Sequence, residues 1–204
     1  DKGNTFKVMK EVLEELGYKV YAEVLNAKDF GVPQNRERVY IVGFLDSSIE
    51  FEFPAPLSKQ VKVGDILDEC VDEKYTISDR LWAGHQRRKL EHKAKGNGFG
   101  YCLFNNNSLY TSTISARYYK DGSEILIEQQ NKNPRKLTPR EAGRLQGFSN
   151  DFKIVVSDVQ AYKQFGNSVS VPVIQAISTE IMKQIKRAIW MGIEKIKIDK
   201  IVFN

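Results

Sequence analysis

The sequence predicts an α/β protein with a small β-rich lobe inserted into it, on three observations. Residues 39–44, Val-Tyr-Ile-Val-Gly-Phe, are apolar with no polar alternation, the pattern of a strand covered on both faces in a parallel or mixed sheet. Residues 99–127 hold short β-prone runs punctuated by Asn and Gly, which suits a set of short strands. Val173, Ile174, Ile177, Ile181, Ile185, Ala188 and Ile189 recur at helical spacing over residues 171–191, a stripe that needs a large partner surface.

Each element has its own signal. Phe6, Met9, Val12, Leu13 and Leu16 recur at helical spacing and Gly17 supplies a C-terminal cap, so an amphipathic helix opens the chain. Residues 18–25 follow as a strand, then a polar loop, then the strand 39–44. Phe-Pro-Ala-Pro at 53–56 suits neither helix nor central strand and marks the end of this part. Residues 78–95 predict a helix with its charges in the second half, and Gly-Asn-Gly-Phe-Gly at 96–100 a flexible turn. It lacks the helix start and Lys-Ser/Thr of a phosphate-binding loop. Residues 99–104, 109–119 and 124–127 read as short strands, with Lys120-Asp121-Gly122 a hairpin signal between the last two. Thr138, Pro139, Glu141 and Gly147 lie where a short helix takes its N-cap, first residue, capping-box partner and stop. Residues 157–165 predict another helix, and 193–203 a late strand or loose end. The expected division is 1–57, 58–152 and 153–204.

Composition bounds the function. The chain has 204 residues, 41% hydrophobic and 28% charged, as expected of a soluble globular protein. No run approaches the ~18 apolar residues of a membrane span, and the start is not a signal peptide. Two cysteines, Cys70 and Cys102, are too distant for a Cys-x-x-Cys signature, which makes the reducing cytoplasm the expected location. His85 and His92 lack a completing ligand set, so no metal site is expected. The start lacks Met, which suggests a fragment. Residues 46–79 carry nine acidic side chains against three basic, and 80–95 six basic against one acidic. Such a basic run is a solvated helix face or a groove for phosphates.

Three stretches carry candidate chemistry. Gln34, Arg36 and Arg38 are two apart, so an extended backbone points all three the same way. Residues 111–120 mix hydroxyls, tyrosines and cations, among them Thr113, Ser115, Arg117, Tyr118 and Lys120, a set able to touch phosphates and base edges. Arg135, Lys136, Arg140 and Arg144 surround the positive end of the short helix at 139, which disfavours them unless an anion sits there.

Gly-Val-Pro-Gln-Asn-Arg-Glu-Arg at 31–38 resembles the Gln-x-Arg-x-Arg motif of the cytosine-C5 DNA methyltransferases. Leu-Thr-Pro-Arg-Glu-Ala-Gly-Arg-Leu-Gln-Gly-Phe at 137–148 resembles the motif that closes that family's DNA-recognition lobe, and Ala-Tyr-Lys-Gln-Phe-Gly-Asn-Ser-Val at 161–169 its last motif. Between them, 95–101 and 114–127 look like the target-recognition region of a branch that includes enzymes of the CC(A/T)GG type. The resemblance covers nearly the whole chain.

It implies the C-terminal part of a Rossmann-like, S-adenosylmethionine-dependent fold with an inserted target-recognition lobe. The implied enzyme, of the restriction-modification kind, flips cytosine out of double-stranded DNA and moves a methyl group to C5. Gln34, Arg36 and Arg38 would face the flipped base, with Arg38 on the cytosine edge. Asn167, Ser168 and Val169 would close the S-adenosylmethionine pocket. Thr113, Ser115, Arg117, Tyr118 and Lys120 would read DNA, while Arg135, Lys136, Arg140 and Arg144 would position phosphates or brace the lobe. The family's Pro-Cys nucleophile, Glu-Asn-Val and Phe-x-Gly-x-Gly turn are absent from the sequence. The chain alone is therefore expected to be inactive, with the missing groups on an N-terminal segment or a partner subunit; a non-catalytic DNA-binding module is the other reading. The strand 39–44 and the helix 171–191 are then expected to leave apolar faces exposed, swapped or covered by a partner.

Overall fold

The computed structural model describes residues 3–57, 60–98, 100–190 and 201–203. Two compact units emerge, one of residues 1–26, 37–56 and 173–204, the other of 27–36 and 57–172. The polar loop 27–36 groups with the second unit, as does the helix that ends the last motif.

In the first unit, helix α1 (Asn4–Glu15) ends where Gly17 takes a φ of 88° and its N–H bonds the Glu14 carbonyl. That left-handed conformation is easily reached only without a Cβ. Strands β1 (Lys19–Asn26) and β2 (Glu37–Phe44) pair antiparallel, with Val24 opposite Val39 and Ala22 opposite Ile41. The far edge of β2 pairs antiparallel with β5 (Ile201–Phe203). The expected parallel or mixed sheet is thus corrected: among the described residues every pairing of this sheet is antiparallel. The reason lies in the connection. A parallel pair needs a crossover of a dozen or more residues, and the loop 27–36 holds only a 3-10 turn, Ala27–Phe30.

Tyr40, Ile41, Val42 and Phe44 are buried, and so are Val173, Ile177, Ile181, Ile185 and Ala188 of the long helix. The expectation that both apolar faces stay exposed or need a partner is therefore overturned for those residues. Apolar surface stays exposed at Val39 of β2, at Met182 and Ile189 of the long helix, and over α1. No residue of α1 is buried, Phe6, Val8, Val12 and Leu16 are exposed, and the cross-strand pair Val24 and Val39 is 58% and 43% exposed.

The second unit contains α2 (Asp79–Ala94), capped by Ser78, then β3 (Leu103–Phe104), β4 (Leu126–Ile127), α3 (Pro139–Leu145) and α4 (Asp158–Asn167); α5 (Val171–Trp190) starts at its end. Its core gathers Val63, Ile66, Ile114, Tyr118, Ile125, Ile127, Leu137, Ala142, Leu145, Ala161, Tyr162 and Phe165. The helices fall where their caps predict. β3 and β4 lie inside the expected ranges 99–104 and 124–127, but they are two residues each and pair parallel with each other, so Lys120-Asp121-Gly122 closes no hairpin.

Residues 109–119, expected as a strand, form a bridge at Thr111 and then a turn. Their amides bond side chains instead of a neighbouring strand: Ile114 N–H donates to Gln34 Oε1, Ser115 N–H to Glu124 Oε1 and Arg117 N–H to Ser115 Oγ. Phe99 and residues 191–200 lie outside the described residues, so the expected start of one strand and most of the tail are not described.

Candidate nucleic-acid and cofactor-facing site

The three motifs are joined by a buried polar network in the second unit. Gln34 has no exposed surface; its Nε2 donates to the Leu145 carbonyl at 3.0 Å and to Gln146 Oε1 at 3.1 Å, while its Oε1 accepts from Ile114 N–H. Gln146, also fully buried, donates through Nε2 to the Phe165 carbonyl at 2.7 Å, and its own carbonyl accepts from Val171 N–H at the start of α5. Arg36 caps three carbonyls, Ile114 at 3.2 Å, Gly166 at 3.3 Å and Ser168 at 2.9 Å. Two amides and a guanidinium thus tie the loop to α3, to residue 114 and to the end of α4. Buried donors are held this way because leaving one unpaired costs about 1–3 kcal/mol.

The expected outward row is therefore divided. Gln34 and Arg36 spend their donors on the protein's own backbone. Arg38, on β2, is half-buried, with Nη1 donating to the Glu37 carbonyl at 2.6 Å.

Around the last motif, Asn167 and Val169 are exposed and Ser168 is half-buried, its Oγ donating to the Phe165 carbonyl. Ser170, 1% exposed, has a hydroxyl with no hydrogen-bond partner among the described residues. Close packing explains the glycine of this motif. A Cβ on Gly166 would lie 2.3 Å from the Ser115 carbonyl, so the end of α4 and the turn at 115 touch backbone to backbone.

The candidate reading residues separate by burial. Arg117 and Lys120 are exposed; Thr113 donates to the Asn35 carbonyl at 2.7 Å, and Ser115 to Glu124 Oε1 at 2.7 Å. Tyr118 is corrected from a DNA contact to a core residue. Its ring has no exposed surface, and its hydroxyl donates to the Ile125 carbonyl and accepts from Leu137 N–H. Burial pushes that phenol well above its ordinary range.

Two of the four cations around α3, Arg135 and Arg144, find their anions inside the protein. Arg135 makes a forked pair with Glu141, both bonds 2.8 Å, and Glu141 also accepts from Asp68 N–H and Thr138 N–H. Arg144 pairs with Asp68 at 2.6 Å and reaches Ile66 O and Asn150 Oδ1. The inferred phosphate at this helix end is thus replaced by two carboxylates, and Arg135 and Arg144 brace the lobe. Arg140, half-buried, touches the Ser149 carbonyl at 3.4 Å. Lys136, half-buried 5.8 Å from the Tyr162 ring, is held below its ordinary value by burial, against the pull of Asp121 and Asp158.

Sequence reasoning missed Gln146 and Asp68 as organising residues. Gln34 and Gln146 lie 112 positions apart, and no local pattern announces such a pair.

Comparison with known proteins identifies the family. The family model described as C-5 cytosine-specific DNA methylase matches residues 1–183. Type II methyltransferase M.SsoII of Shigella sonnei is 66% identical over 186 residues, covering 89% of this chain and 49% of that protein. Type II methyltransferase M.NlaX of Neisseria lactamica is 65% identical over 181 residues, covering 89% and 58%. Among solved structures, the Entamoeba histolytica methyltransferase EhMeth superposes with a TM-score of 0.72 at 23% identity, covering 88% of this chain and 58% of that one. S. pombe Dnmt2 does so with a TM-score of 0.72 at 16% identity, covering 87% and 61%. The fold is that of α/β methyltransferases, and the chain belongs to the C-5 cytosine-specific DNA methylase family. It spans about half the length of the curated relatives it matches.

Proposed function

We propose that this chain is the DNA-recognition segment and part of the catalytic wall of a DNA (cytosine-5-)-methyltransferase that acts on double-stranded DNA. Its catalytic-domain part is residues 1–57 with the returning segment 153–204, and its target-recognition part is 58–152. The observation that carries the reading is a family match over residues 1–183 in a sequence without the Pro-Cys nucleophile. Cys70 is exposed in the acidic stretch, and Cys102 is built into backbone pairing, its carbonyl accepting from Leu126 N–H.

Arg38 presents a planar donor pair toward the cytosine edge, while Gln34 and Arg36 hold the loop that leads to it. Arg117 and Lys120 meet the DNA backbone, with Thr113 and Ser115 alongside. The orphaned, buried Ser170 hydroxyl beside exposed Asn167 and Val169 fits a polar ligand on this side. Asn167, Ser168 and Val169 would hold S-adenosylmethionine, which supplies an electrophilic methyl group when bound. The covalent attack on C6 needs a thiolate from outside this chain.

Incubation with unmethylated duplex DNA and labelled S-adenosylmethionine tests this. The chain alone is expected to transfer no methyl group, and to do so once mixed with a segment carrying Pro-Cys and Glu-Asn-Val. Transfer by the chain alone overturns the proposal, and DNA binding without rescue by any such segment favours a binding module.

A further inference from the structure

We infer that His85 is a positioning residue for DNA recognition: with Arg88 it anchors, from α2, the turn that presents Arg117 and Lys120. The inference rests on the DNA-facing reading of that turn given above.

His85 is 2% exposed, although the cations of its helix, Arg80, Arg87, Arg88, Lys89 and Lys93, are all exposed. Both of its ring nitrogens are engaged. Nε2 lies 3.2 Å from the Asp121 carbonyl and Nδ1 2.9 Å from Arg88 Nη2. A guanidinium only donates and a carbonyl only accepts, so these partners select the neutral tautomer with its proton on Nε2. Arg88 also reaches Asp121 Oδ2 at 3.3 Å, and the other carboxylate oxygen of Asp121 accepts from Ser123 N–H and Oγ. Asp121 is thereby fixed from both sides.

The residues just before it form one tight turn, in which Lys120 N–H donates to the Arg117 carbonyl at 2.9 Å. Two further cations border this segment. Lys163 lies 5.1 Å from the Tyr119 ring, and the Lys136 side chain packs against Gly122. Cations from other parts of the chain thus flank the turn that carries Arg117 and Lys120, which is the footprint of a surface that follows phosphates. An imidazole buried only for packing would be replaceable by an apolar side chain. This one makes two directional bonds, and one of them ends on the turn.

The test separates the two bonds. His85→Gln places an amide nitrogen where Nε2 sits and keeps the donor to Asp121; His85→Asn keeps an acceptor for Arg88 but cannot reach Asp121. His85→Leu fills the space without either bond and serves as second variant should His85→Asn fail to fold. The readout is the slope of log affinity against log salt for a labelled duplex, whose steepness drops by about 0.9 for each phosphate the protein no longer neutralises.

His85→Asn and His85→Leu are expected to lower that steepness by about 0.9 to 1.8, one or two phosphates, while His85→Gln keeps the wild-type slope. Arg117→Gln with Lys120→Gln is expected to lower it similarly, and adding His85→Asn to that pair should lower it no further. A wild-type slope in folded His85→Asn or His85→Leu overturns the inference, as does a further drop beyond the Arg117, Lys120 double variant. Binding that ignores the double variant removes this turn from the interface and overturns the inference while leaving DNA recognition standing. A wild-type chain that binds no DNA overturns both readings.

Discussion

Replacing Glu141 by Ala probes what holds the recognition lobe. The carboxylate has no exposed surface and accepts four hydrogen bonds, two from Arg135 and one each from Asp68 N–H and Thr138 N–H. Truncation leaves the Arg135 guanidinium, 7% exposed at its side chain, without its counter-charge. Removing one partner of a buried pair costs about 3–5 kcal/mol, a large part of the roughly 5–15 kcal/mol that holds a typical domain together. At roughly 2–4 °C per kcal/mol for a chain of this size, the melting temperature should fall by roughly 6 to 20 °C. Urea unfolding followed by circular dichroism measures it, with the loss read from the midpoint at constant slope. A double variant, Arg135→Met with Glu141→Leu, should recover most of the loss, because an apolar pair carries no stranded charge. A Glu141→Ala protein within about 1 kcal/mol of wild type would refute the argument that this pair braces the lobe.

Tyr118→Phe should destabilise by about 1–3 kcal/mol, since it strips a buried acceptor from Leu137 N–H and a donor from Ile125 O; denaturant titration checks it, and a neutral result would mean water replaces the hydroxyl. Gly166→Ala should prevent native packing, because its Cβ would lie 2.3 Å from the Ser115 carbonyl; a cooperative melt at the wild-type temperature would contradict this. His85 is held below its ordinary value of 6.5 by burial. The unfolded chain therefore binds this proton more readily than the folded one, and stability should fall as pH drops below about 6.5. Comparing wild type with His85→Gln between neutral and mildly acidic pH should show the difference shrinking with acid, and parallel curves would count against it.

What local physics can specify was legible along the chain. Thr138, Pro139, Glu141 and Gly147 lie at the spacings of a capped helix, and α3 forms with that capping box and a Gly147 φ of 84°. Gly17 ends α1 for the same reason, and the family's motifs were readable as words because their residues are contiguous. Where the donors point was settled by folding. Extended geometry put Gln34, Arg36 and Arg38 on one side, but a partner 112 residues away turned Gln34 inward. The cations around α3 read as a phosphate site, but Glu141 and Asp68 supply the anions of two of them, Arg135 and Arg144. Residues 109–119 carry strand-forming side chains, yet Gln34 and Glu124 took the amides a ladder would need. Each departure has one physical cause. A hydrogen bond is specified by two groups together, and only folding brings distant groups within about 3 Å of each other.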